Sequence, residues 1–176
     1  MNFYTQNLRK YESAFRDLVT LKNWSTNKGV KEAIKLNKSK DWSFICTALD
    51  VIGDTTLAID NFLEFGLEGQ TDGNDFGEKY LRLYGVLNAC YLQQFAVLSL
   101  YKRCNLEKPD GVKQKLNDLK IYELRNKLGA HSTDYKNKQD DKKEDSIESY
   151  VIIRISAKRY KFKYINNEST EGNGLI

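Results

Sequence analysis

The sequence predicts a mainly α protein, an antiparallel helical bundle with a C-terminal β-hairpin. Three observations carry that expectation. A single proline in 176 residues leaves helices few interior breaks, proline being the residue an interior helical turn tolerates least. Apolar residues recur at spacings of three and four over two long stretches in the middle of the chain. From Glu148 onward the spacing changes to alternation, the period of a strand.

Taken in order, residues 3–24 place Phe3, Leu8, Tyr11, Phe15, Leu18 and Leu21 at the period of an amphipathic helix. "STNKG" interrupts it, and "VKEAIKLN" is a short second helix. "SKDW" opens the next element, with Ser39 or Asp41 as candidate caps. From Trp42 to Phe65 a long helix buries Phe44, Ile45, Ala48, Leu49, Ile52, Leu57, Ile59, Phe62 and Leu63, and Gly66 is placed to cap its C-terminus. "GLEGQTDGND" is a polar, glycine-rich loop. A second long helix over 77–103 is apolar on more than one side, which makes it the central element. Pro109 breaks the chain, and Val112, Leu116, Leu119, Ile121 and Leu124 continue a helical pattern.

The organisation expected is a helical domain over 1–135, a charged loop over 136–146, a hairpin over 147–165 and a disordered tail over 166–176. In the hairpin, "ESYVIIRI" and "RYKFKYI" are joined by "SAK". One strand presents Val151, Ile153 and Ile155 on a face; the other presents Tyr160, Phe162 and Tyr164, opposite Arg159, Lys161 and Lys163. Alternation with the lysines directs those aromatics toward the core rather than toward bases.

Hydrophobic residues at 40% and charged residues at 30% exclude a disordered chain. The net charge of +4 does not by itself assign a nucleic-acid partner, and is compatible with one if the charge is clustered. Cys46, Cys90 and Cys104 are odd in number and widely spaced, with no CxxC or Cys/His group, so neither a zinc site nor a disulfide framework is indicated. No apolar stretch of signal-peptide type follows the first residues. Asn88, Gln93, Gln94 and Ser99 interrupt the most apolar segment, which argues against a membrane span. The expected setting is cytoplasmic. Trp24 and Trp42 are expected to be packing residues.

The one histidine lies in "IYELRNKLGAHS" at 121–132. Histidine exchanges a proton near neutral pH, arginine holds phosphate oxygens with a two-pronged grip, and asparagine can orient either. Arg125, Asn126 and His131 together suit metal-free phosphoryl chemistry: attack of a ribose 2′-hydroxyl on the adjacent phosphate. On an unbroken α-helix positions six apart lie roughly 120° apart around the axis. Gly129 in a left-handed conformation would end the helix before the histidine, or two protomers would each supply part of one site. The bland alternative is a helix end in which Arg125 pairs with Glu123 or Asp134 and His131 caps a carbonyl.

"RNKLGAH" resembles the R-x(4–6)-H motif of HEPN domains, including the polar residue after the arginine, and the resemblance covers about residues 40–135. It implies a helical bundle with the motif late in the chain, a homodimer, and a metal-independent endoribonuclease of the kind used as a toxin or in phage defence, with a possible antitoxin partner. Arg125 and His131 would be the catalytic pair, with Asn126 supporting and no cofactor or metal. Some members carry a modified tyrosine two residues after the histidine; here that position is Thr133 and the nearest tyrosine is Tyr135. RNA contacts are expected from Lys120, Lys127, Arg159, Lys161 and Lys163, with Lys102, Arg103, Lys108, Lys113 and Lys115 as a further path or a plain solvated face. Asp134 and Tyr135 are weaker neighbours of the site. Asp54, Asp60 and Glu64 either face the motif or form an exposed helix face. The alternative function is a non-catalytic HEPN-like module that binds RNA or a protein.

Overall fold

A computed structural model describes residues 3–22, 26–71, 73–106, 108–130, 132–136, 147–167 and 170–175. The chain is mostly helical, with a small antiparallel sheet of three strands at its C-terminal end. The helices are α1 (Phe3–Leu21), α2 (Asn27–Ala33), α3 (Asp41–Phe65), α4 (Phe76–Arg103), α5 (Pro109–Asn117) and α6 (Lys120–Arg125). A 3₁₀ turn (Gly66–Glu68) follows α3 and a π turn (Asn126–Ala130) follows α6. The strands are β1 (Tyr135–Lys136), β2 (Ile147–Glu148), β3 (Tyr150–Lys158), β4 (Lys161–Asn166) and β5 (Glu171–Leu175). The chain forms two compact units, Met1–Asp60 with Leu92–Leu116, and Asn61–Tyr91 with Asn117–Ile176. Trp24 lies outside the described residues.

In the first unit Val19, Val30, Leu36, Ile45, Ala48 and Ala96 are buried, and polar contacts fix how the helices meet. Thr26 caps α2 by accepting from the Gly29 N–H at 3.1 Å. Thr5 donates to Asp60 at 2.6 Å, and Arg16 pairs with Asp50 at 2.6 Å. The Gln93 amide donates to Thr56 at 2.8 Å. Phe15 and Trp42 lie 5.8 Å apart, so Trp42 is a packing residue. The Asp41 side chain, 3% exposed, accepts from the Lys38 N–H at 2.9 Å and from Arg103 at 2.8 Å. A buried carboxylate needs that pairing, so Arg103, which also stacks 4.4 Å above the Phe44 ring, is engaged in the fold. The face of α1 differs from the amphipathic expectation: Leu8, Tyr11, Leu18 and Leu21 are exposed. On α4, Leu92 and Phe95 are exposed as well, and on α3 so are Phe44, Leu57 and Leu63.

In the second unit Phe62, Leu67, Leu83, Val86, Leu87, Leu124, Leu128, Ile152 and Phe162 form the core. Gly66 takes φ +62°, the left-handed conformation that a C-terminal glycine allows. Its carbonyl accepts from Arg82 at 2.6 Å. Beside it the β3–β4 turn docks: Leu67 N–H donates to the Arg159 carbonyl at 2.8 Å, Tyr160 Oη to the Leu63 carbonyl at 2.8 Å, and Arg159 to the Glu64 carbonyl at 2.6 Å. The buried Lys79 donates to the Ala157 carbonyl at 3.2 Å.

The sheet corrects two expectations. Residues 171–175, expected in a disordered tail, form β5 and pair with β4. The turn is Arg159–Tyr160 rather than "SAK", and the β3–β4 register shifts between Ile153 and Lys158. Ser156 supports that irregularity, donating to the Ile153 carbonyl at 2.5 Å and accepting from the Lys163 N–H at 2.7 Å. Ile152 sits opposite Tyr164, and Ile153 opposite Lys163. Directly paired residues share a face, so Ile152, Phe162 and Tyr164 point inward while Val151 and Ile155 are exposed with the lysines. The aromatic residues of β4 are packing residues, as the alternation implied.

Candidate functional site

The motif begins on α6 and runs through the π turn, with Leu124 and Leu128 anchoring it in the second unit's core. A π turn closes i→i+5 rings and is a rare interruption found often at functional sites. Gly129 lies within this turn and is not left-handed, so the glycine break expected before the histidine does not form. His131 lies outside the described residues. The residues on either side of it are placed: Ala130 closes the π turn, and the Ser132 carbonyl accepts from the Tyr150 N–H at 2.6 Å. The antiparallel pair Tyr135–Lys136 with Ile147–Glu148 continues that attachment. The C-terminal sheet is therefore bonded to the residue next to the motif's histidine.

Arg125 is half-buried. Its guanidinium lies 3.9 Å above the Tyr91 ring, and Tyr91 packs against Tyr122 at 6.1 Å. One Nη donates to Asn126 Oδ1 at 3.0 Å. Stacking fixes the plane of the guanidinium, and the hydrogen bond fixes its rotation within that plane. Asn126 thus orients the arginine, one of the two roles the sequence left open for it. Glu123 does not serve Arg125 in the way the bland alternative supposed, because it pairs with Lys127 at 2.6 Å.

Lys127, expected to contact RNA, is instead held inside the unit. Its side chain is 17% exposed and its ammonium sits 5.5 Å from the Tyr135 ring centre and 5.1 Å from that of Tyr150. Burial opposes the charge, but the hydrogen bond and charge of Glu123 outweigh it, so the ammonium's pKa is held above its ordinary value. Burial, then the hydrogen bond to Glu148, pushes the Tyr150 phenol up to about 12. The Tyr135 phenol is likewise raised by burial, and its ring meets that of Tyr150 edge-on at 5.7 Å. Tyr135 is a packing residue of this cluster.

The remaining candidates separate by what they touch. Arg159 is bonded to the Glu64 carbonyl and Lys163 to Glu171 at 3.2 Å, so an acid from β5 crosses the basic face of the hairpin. Lys120 and Lys161 are exposed. In the first unit Lys102, Lys108, Lys113 and Lys115 are exposed, whereas Arg103 is committed to Asp41. Asp60 is bonded to Thr5, and Asp54 and Glu64 are exposed. Among the described residues no group of three or more His, Cys, Asp or Glu side chains is placed to hold a metal ion. Tyr91, Tyr122 and Tyr150 were missed by sequence reasoning. Tyr91 and Tyr150 reach the motif from α4 and β3, where no local spacing marks them, and Tyr122 stands on α6 itself, three residues before Arg125.

Asp41–Glu68 and Phe76–Arg103 are each long and apolar enough, by length and composition, to cross a bilayer. Compared with protein-family models, with curated proteins and with solved structures, the chain matches none.

Proposed function

We propose that the protein is a HEPN-type, metal-independent endoribonuclease that works as a homodimer in the cytoplasm, in a toxin or phage-defence role. The observation that carries this reading is the arginine pre-set by Asn126 and Tyr91 beside a π turn that leads to the chain's one histidine. A guanidinium held in a fixed plane has less freedom to lose on gripping a phosphate. In the reaction the 2′-oxygen forms a bond to phosphorus and the P–O5′ bond breaks, leaving a 2′,3′-cyclic phosphate and a 5′-hydroxyl. His131 moves the proton, and Arg125 stabilises charge on the phosphorane-like transition state. Lys120 and Lys161, both exposed, would meet the RNA backbone.

The cytoplasmic placement takes α3 and α4 as helices outside a membrane. Asp54 stands near the midpoint of α3 and is exposed, where a lipid surround would cost roughly 2.5–3.5 kcal/mol.

A second reading is favoured by the same stacked arginine: a non-catalytic HEPN-like module in which Arg125 is a packing residue. Incubation of the purified protein with labelled single-stranded RNA in EDTA separates the two. The ribonuclease reading expects cleavage to cyclic-phosphate ends, lost in His131→Ala with the fold intact. The module reading expects intact RNA and no dependence on the histidine.

A further inference from the structure

A groove in the first unit sets an exposed aromatic ring and a cation on one helix face, and it shares no residue with the motif. It runs along the C-terminal third of α4, has a volume of about 400 Å³, and is lined by Phe95, Leu98, Ser99, Lys102 and Arg103. That volume falls within the roughly 300–1,000 Å³ of small-ligand sites. At 100° per residue Phe95, Ser99 and Lys102 fall within about 60° of one another, so they make the floor, with Leu98 and Arg103 on the flanks. Phe95 is 64% exposed and Lys102 is exposed, whereas Leu98 and Ser99 are half-buried. Arg103 is a fixed wall, held by Asp41 at 2.8 Å and stacked 4.4 Å above the Phe44 ring.

Each part of the floor selects its occupant. An exposed phenylalanine ring offers its face to another flat ring. The Ser99 hydroxyl, one turn on, can donate to or accept from the polar edge of such a ring. The Lys102 ammonium, two turns on and about 10 Å along the axis, takes an anion. Among the described residues no carboxylate lines the groove, and the Asp41 side chain held by Arg103 is 3% exposed. An aliphatic anion or an acidic peptide would use the cation and leave the flat face bare. A nucleotide uses both, and its base is free to stack on a side chain when the strand is single. We propose that this groove of α4 is a nucleotide subsite for single-stranded RNA, with one base stacked on Phe95 and a neighbouring phosphate held by Lys102. The inference rests on the ribonuclease reading for the strand being RNA, and on the groove alone for the residues that hold it.

Fluorescence anisotropy of the full chain with a labelled, fully 2′-O-methylated oligoadenylate tests it, since that probe cannot be cut by attack of its own 2′-oxygen. The wild type is expected to bind. Phe95→Ala is expected to weaken binding by roughly 5-fold or more, the effect of losing one stacked base, and Phe95→Trp to keep it. Lys102→Gln is expected to reduce the slope of log K against log salt by about 0.7, one phosphate contact on a single strand, while Phe95→Ala leaves that slope as it is. Both side chains are exposed, so the circular dichroism spectra are expected to match the wild type. No binding by the wild type, an affinity indifferent to Phe95→Ala, or a slope indifferent to Lys102→Gln would each overturn the proposal. Binding of this kind without cleavage of all-ribose RNA would sink the ribonuclease reading and leave the subsite standing. Cleavage with both variants binding as the wild type does would sink the subsite alone.

Discussion

Gly66→Ala is the substitution that most directly probes how the C-terminal sheet is joined to the helices. The glycine sits at φ +62°, and a Cβ there would lie 2.2 Å from the Arg159 carbonyl oxygen and 2.5 Å from Arg159 Cγ. The left-handed conformation costs alanine about 1 kcal/mol. Relieving the clash moves the β3–β4 turn, which removes the partner of the Leu67 N–H. Leu67 is 1% exposed, and an unpaired buried N–H costs roughly 1–3 kcal/mol. Weakening of the Tyr160 and Arg159 bonds to α3 carbonyls adds up to about 1 kcal/mol. The sum is on the order of 2–5 kcal/mol, a large share of a typical domain's stability. Thermal unfolding followed by circular dichroism should show a midpoint lowered by roughly 4–20 °C. Gly129→Ala is the internal control, since its Cβ meets nothing within 4 Å and its φ is not positive. It should be neutral or stabilising by up to about 1 kcal/mol. A Gly66→Ala protein that melts with the wild type would refute the docking described above.

Gly174→Ala should destabilise by about 1–3 kcal/mol in urea unfolding, because its Cβ would lie 2.1 Å from the ring of the buried Phe162; an unchanged midpoint would argue against the β4–β5 register. Tyr150 and Lys127 both hold their protons more tightly folded than unfolded, so their stabilisation is complete below about pH 10. The share from Tyr150 is lost as pH rises from there toward about 12; the urea midpoint of Tyr150→Phe should therefore fall less steeply over that window, and parallel profiles would count against the buried phenol. Lys127→Met keeps the stem and removes the charge from between two tyrosine rings, which should cost roughly 1–2 kcal/mol by the same assay. Equal stability would mean that the cation contributes nothing to the cluster.

The long helices were legible almost to the residue because their period is sustained and Gly66 and Pro109 punctuate them. Pro109 proves to be the first residue of α5, where its missing N–H costs nothing. The facing of α1 was not legible, since periodicity reveals a stripe and not what covers it. Strand β5 carries "EGNGL", which has little strand propensity of its own. Its two glycines make sense only once the register sets Gly172 against Tyr164 and Gly174 against Phe162. At the candidate site the chemistry of Arg125 and Asn126 could be read locally. The tyrosines that fix the guanidinium and enclose Lys127 come from α4, β1 and β3, and the π turn overrode the left-handed glycine that local reasoning expected.

The central claim is that Arg125 and His131 serve attack by a ribose hydroxyl. The direct measurement is cleavage, in EDTA, of a single-stranded RNA and of its counterparts bearing a 2′-deoxynucleotide at each mapped cleavage position. The account predicts cyclic-phosphate ends from the all-ribose strand and no cut where the 2′-oxygen is missing. It also predicts a loss of about 100-fold or more in His131→Ala. Cutting that persists at the deoxy position, or that ignores the histidine, would contradict it.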